Sequence, residues 1–139
     1  MGRKEARDGA FKMLYQLDIN SNEPTQAMED FFEEYNYTKG DKEYIREVVN
    51  GVLSKKEDID NIISGAVKSW TLNRISMVDK ALLRLAVYEI YYREDIPDSI
   101  SIFEAVELAK IYDSPKAGGF VNGLLRGVLR KKEEEAQSE

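Results

Sequence analysis

The sequence predicts an all-α fold: about seven helices in two stacked helical bundles that share a central helix. Three observations carry this. Apolar residues recur at helical spacing along nearly the whole chain, and strand-like alternation is almost absent. Prolines and capping residues punctuate the periodic segments at short intervals. One segment, opening at Ser76, is apolar on two faces, as a helix buried on two sides must be.

The first segment, about Arg3 to Ile19, carries Ala6, Ala10, Met13, Leu14 and Leu17 as one stripe. The second follows Pro24, a good first-turn residue, with Met28, Phe31, Phe32 and Tyr35. The third starts near Asp41 and turns Ile45, Val48, Val49, Val52 and Leu53 inward. The fourth contains Ile59, Ile62, Ile63, Ala66, Val67 and Trp70, and breaks at Thr71-Leu72-Asn73. In the fifth, Ser76 and Asp79 resemble a capping box. Val78, Leu82, Leu85 and Ala86 form one of its faces; Leu83, Val87 and Ile90 form the other. The sixth is expected to open on a capping box of Ser101 and Glu104, with Ile102, Ala105, Val106, Ala109 and Tyr112 inward. The seventh runs from about Lys116 to Arg130 over Val121, Leu124, Leu125 and Val128. Residues 1–132 are read as one domain and 133–139 as a charged, fraying tail.

Composition narrows the chemistry. The 139 residues are 42% hydrophobic and 33% charged, a balance that suits one globular domain. With no cysteine and no histidine, disulfides, Cys-based zinc sites and Ser-His or Cys-His nucleophilic pairs cannot be built. An all-carboxylate metal site or a carboxylate pair remains possible in principle, but the expectation is of no enzyme activity, no cofactor and no metal. No apolar run is long enough to span a membrane, and the charged start at Met1–Arg7 lacks the apolar stretch of a secretory signal. A cytoplasmic protein is expected.

A net charge of −6 argues against nucleic acid if taken alone. Its distribution argues otherwise. Residues 18–60 hold twelve acidic and five basic residues, whereas residues 116–132 hold five basic residues and no acid. On the first helix, Lys4, Arg7, Phe11 and Tyr15 fall on one shoulder of the wheel, with Arg3 at the tip. Cations interleaved with aromatics suit RNA, supplying charge for phosphates and rings for bases. A solvated face beside two partly buried rings is the plainer alternative. The seventh helix has a similar shoulder in Lys116 and Phe120. Gly119, Gly123 and Gly127 lie nearby in a row, which implies close approach by something, either RNA or another helix of the same domain. Glu89 lies within the apolar face of the fifth segment and is expected to pair with an arginine or with backbone donors.

Several blocks resemble a known family. Arg3-x-x-Ala6-Arg7 with Leu14-Tyr15, Trp70-x-x-x-Arg74, and Asp79-Lys80-Ala81-Leu82-Leu83-Arg84-Leu85-Ala86-Val87-Tyr88-Glu89 are similar to the NusB family of transcription antitermination factors. So are Ile96-Pro97, the block Ile102-Phe103-Glu104-Ala105-Val106-Glu107-Leu108-Ala109-Lys110, and Phe120-Val121-Asn122-Gly123-Leu124-Leu125. The resemblance implies a seven-helix fold and binding to boxA-type RNA of ribosomal RNA leaders. It further implies a heterodimer with NusE, a small-subunit ribosomal protein, alongside other antitermination factors and RNA polymerase. The family's RNA surface would fall on Arg3, Lys4, Arg7, Lys116 and Phe120, and its partner surface on Tyr15 and Asp79. Two residues depart from the pattern. Glu5 interrupts a stretch that is often more basic, and Phe103 stands where a polar residue is usual. Two rival functions remain at this point: a helical protein-interaction module without RNA contact, and a detached accessory domain of an RNA methyltransferase.

Overall fold

The computed structural model describes residues 2–20, 22–67 and 74–138. Seven helices account for most of them: α1 (Gly2–Ile19), α2 (Pro24–Glu34), α3 (Lys39–Ser54), α4 (Lys56–Gly65), α5 (Met77–Tyr92), α6 (Asp98–Tyr112) and α7 (Pro115–Gln137). Helices α1 to α4 gather on one side of α5, and α6 and α7 pack on the other. The two-bundle architecture around a shared helix is therefore as the sequence implies. Every residue of α5 from Ala81 to Ile90 is buried, Arg84 and Glu89 included.

Local chemistry sets most helix starts. Thr38 accepts a bond from the Asp41 backbone N–H at 3.1 Å, Ser76 from Asp79 at 3.1 Å and Ser114 from Ala117 at 3.1 Å. Each side-chain oxygen satisfies one of the N–H groups that a helix start leaves over. Glu23 does the same for α2, ahead of Pro24.

Three expectations need correction. Ser101 is not a cap: α6 begins a turn earlier, at Asp98 behind Pro97, whose backbone at φ −59° already suits the entry. Ser101 is instead buried and donates to Glu89 Oε1 at 2.7 Å. Helix α4 stops at Gly65, with Ala66 as its cap, so Ala66 and Val67 lie beyond it. Trp70 and the break at Thr71-Leu72-Asn73 lie outside the described residues. Finally, α7 continues to Gln137, past the end expected near Arg130. Lys132 holds this extension by donating to the Ile90 carbonyl at 2.6 Å, beside Asp98 at 3.2 Å. Glu135 adds a bond with the Tyr91 phenol.

Polar groups pin the junction of the bundles. Glu89 is 1% exposed. Its carboxylate accepts from Arg7 Nε at 3.0 and 3.1 Å, from the Tyr44 hydroxyl and from Ser101. One carboxylate thus ties α1, α3 and α6 to α5. Arg84 is a second buried ion, held by both oxygens of Asp60 at 2.8 and 3.1 Å, with Asp18 at 3.6 Å. Gly51 lets α3 reach α5: a Cβ there would lie 2.3 Å from the Tyr88 ring.

Candidate RNA and partner interface

The N-terminal shoulder divides on folding. Arg3 and Lys4 are exposed, and the Arg3 guanidinium lies 4.7 Å from the centre of the Tyr44 ring. Arg7, one turn on from Arg3, is only 4% exposed and bound to Glu89. It cannot offer its charge to RNA, so the expectation that it lies on the RNA surface is corrected. Phe11 is likewise buried, at 5.0 Å from Tyr112 and 6.1 Å from Tyr15 between ring centres. A wheel drawn for one helix cannot show how far its neighbours wrap. Helices α3 and α5 both pack against α1, and Tyr112 of α6 covers Phe11.

Three clefts follow one another along a single face. The first, of about 330 Å³, lies between Lys4, Asp8, Tyr37 and Ile111. The Tyr112 hydroxyl donates to Asp8 at 2.5 Å, and Tyr112 is itself a wall of the second cleft. That cleft, about 360 Å³, is bounded by Lys12, Tyr15, Gln16 and Val78 as well. Burial followed by the bond to Asp8 raises the Tyr112 pKa above its ordinary value. The hydrogen bond to Asp8 likewise raises that of Lys12. Val78 leads directly to Asp79 and the third cleft, about 420 Å³, lined by Arg74, Asp79, Ser114, Lys116 and Phe120.

Lys4, Tyr15, Asp79, Lys116 and Phe120, far apart in the sequence, thus share one face. Residues expected at an RNA surface (Lys116, Phe120) and at a partner surface (Asp79) line the same cleft. Lys116 is exposed and Phe120 half-buried. Asp79, however, is 6% exposed, so it presents no open carboxylate to a partner. Its Oδ1 is buried and has no donor among the described residues. Its neighbour is the Asp113 carboxyl, which also accepts from Ser76 Oγ at 3.2 Å. Burial, then the hydrogen bond and charge of Asp113, push Asp79 up to about 7. The helix N-terminus favours the anion, but these opposing causes outweigh it.

Two features escaped the sequence reading. Lys12, paired with Asp8 at 3.0 Å, brings a cation to the centre of the face. The i, i+4 spacing of these two residues was the available signal. Asp113 had none, because its pairing with Asp79 depends on how α6 ends against the start of α5. Among the described residues, no cluster of three carboxylates is placed to hold a metal ion.

A profile of the NusB family matches residues 4–130. The transcription antitermination protein NusB of Acetivibrio thermocellus is 45% identical over 132 residues, which span 95% of this chain and 91% of that protein. The crystal structure of T. maritima NusB superposes with a TM-score of 0.86 at 37% identity, covering 94% of this chain and 92% of the other. A chain in the crystal structure of antitermination factors NusB and NusE in complex with double-stranded RNA gives 0.86 at 32%, covering 93% and 96%.

Proposed function

The chain belongs to the NusB family, and on that premise we propose that it is a transcription antitermination factor that binds RNA jointly with a NusE-type ribosomal protein. One observation carries the reading: a single cleft brings together a cation, a half-buried aromatic ring and the acidic start of α5. Lys116 and Arg74 supply charge for phosphates, and Phe120 supplies a ring on which a base can stack. Arg3 and Lys4 extend the positive field at the far end of the face. Between them, Lys12, Tyr15 and Val78 form a mixed surface suited to a protein partner. Arg7 is not part of this assignment, and Asp79 acts from beneath the surface, beside the Asp113 carboxyl.

The reading is of a non-enzymatic, cytoplasmic regulator. No helix among the described residues is long and apolar enough to cross a membrane. The RNA is expected to be a boxA-type element of ribosomal RNA leaders.

A filter-binding titration against a boxA-like RNA and a scrambled control, with and without NusE, tests the proposal. Selective binding that tightens about 5–150-fold with NusE is the expected result, the range of ordinary coupling between two sites. Equal binding of both RNAs in both conditions would leave the chain as a protein-interaction module.

A further inference from the structure

We propose that the outward face of α7 is a sequence-independent track for the RNA sugar–phosphate backbone, leading away from the Phe120 cleft past Arg126 to Arg130. The proposal rests on the RNA-binding reading above and extends its site to residues outside the three clefts.

The cations come first. At 100° per residue, Lys116, Arg126 and Arg130 fall within about 80° of one another on the α7 wheel. All three are exposed. Among the described residues none of them has an ion-pair partner. By contrast, Arg7, Lys12, Arg46, Arg84, Arg93, Lys110 and Lys132 each bind a carboxylate. In a chain of net charge −6, three exposed cations on one helix sector, with no acidic residue between positions 116 and 132, concentrate positive potential there. The row spans about 21 Å at 1.5 Å per residue, a length suited to an extended strand.

What lies between the cations supports the same occupant. Gly119 and Gly123 fall inside the same sector, and both are exposed. A Cβ added to either would meet no described atom within 4 Å. Packing against another described helix of the domain therefore does not account for them. Gly127 differs, since its Cβ would touch Ala66. Two glycines lower helix propensity, and no contact among the described residues offsets the loss. Their absent side chains leave a low floor between flanking cations, where a bulky backbone can lie close to the helix. Phe120 borders this floor, so a base stacked on its ring would direct the adjoining phosphates along it. Glu133, Glu134 and Glu135 follow Arg130 and close the track.

The experiment compares two single-stranded RNAs, a boxA-like core and the same core with flanking uridines, titrated at several salt concentrations. For the native chain, the flanks should raise affinity and steepen the salt dependence by roughly 0.7 in log–log slope per phosphate contact. In the double variant Arg126→Glu/Arg130→Glu, that gain should disappear. Gly119→Gln/Gly123→Gln should raise the melting temperature through helix propensity while reducing the gain. A structural role for the glycines would instead lower the melting temperature. An identical gain in the native chain and the arginine variant would overturn the track. If Phe120→Ala still weakened core binding in that case, the RNA reading would survive without it. No binding of either RNA by the native chain, alone or with NusE, would remove both. Competition by polyglutamate as effective as that of the flanked RNA would also overturn the proposal, in favour of an acidic protein segment.

Discussion

Two buried carboxylates on α5, Glu89 and Asp79, have opposite surroundings. Glu89 sits between the bundles and takes hydrogen bonds from Arg7, Tyr44 and Ser101. Asp79 sits at the exposed end of the same helix with an oxygen that no donor reaches among the described residues and a second carboxyl beside it. The first arrangement keeps a charge in the interior by surrounding it with donors. The second destabilises a charge where RNA and partner are proposed to meet. Satisfied burial here marks architecture. Unsatisfied burial lies on the proposed functional face, as expected where a chain departs from the rules of stable packing.

Breaking the satisfied site should cost most. Arg7→Ala leaves Glu89 buried without its cation and is expected to cost about 3–5 kcal/mol, the usual penalty for removing one partner of a buried pair. Urea denaturation measures it. The double change Arg7→Met/Glu89→Met should recover a large part, because it leaves no orphaned charge. A loss under about 1 kcal/mol in the single variant, the range of a surface pair, would contradict the burial of Arg7.

The unsatisfied site should respond to pH. Asp79 titrates near about 7 in the folded chain, against an ordinary value of 3.8. Between these values the folded chain holds a proton that the unfolded chain has released. Stability contributed by Asp79 therefore falls as pH rises through this window and levels off above it. Asp79→Asn removes the titration and offers Asp113 an N–H donor. Relative to the native chain at about pH 8, it should gain on the order of 1–3 kcal/mol, the penalty of an unmet buried acceptor. The gap between the two proteins should narrow as pH falls through this window and close only below the ordinary carboxylate value of 3.8, as linkage requires. Parallel curves across that range, from thermal melts, would remove Asp113 as the cause of the shift.

Smaller effects sharpen the same contrast at the surface. Phe120→Ala should weaken RNA binding by roughly 1–3 kcal/mol if a base stacks there. Denaturation run beside the binding assay separates this loss from a loss of folding. Lys4→Glu should flatten the salt dependence of RNA binding by about 0.7–0.9 and leave folding nearly unchanged. The smallest effect is expected at Phe103, which is 54% exposed. Phe103→Ser should alter stability by no more than about 0.5 kcal/mol, as a thermal melt would show.

How much of this was legible beforehand varies with the physics involved. That Glu89 would be paired, with an arginine or with backbone donors, was legible, because a carboxylate within an apolar stripe requires a partner. Which arginine was not, since Arg7 and Glu89 stand 82 positions apart. The same blindness placed Arg7 and Phe11 on an open shoulder. The capping box at Ser101 failed because a buried acceptor drew the hydroxyl inward and the helix started at Asp98 instead. Lys116 and Phe120 were legible as a pair because one turn of α7 separates them. That their cleft also contains Asp79 was not.

The sequence by itself determined the helices, the two-sided burial of α5 and the basic character of residues 1–15 and 116–132. These depend on periodicity, capping and charge, which act over a few residues. Tertiary structure alone decided which cations remain exposed, which acids lie side by side, and that α1, α5 and α7 contribute to one face. Exposure and electrostatic coupling depend on distances between segments, and only packing sets those distances.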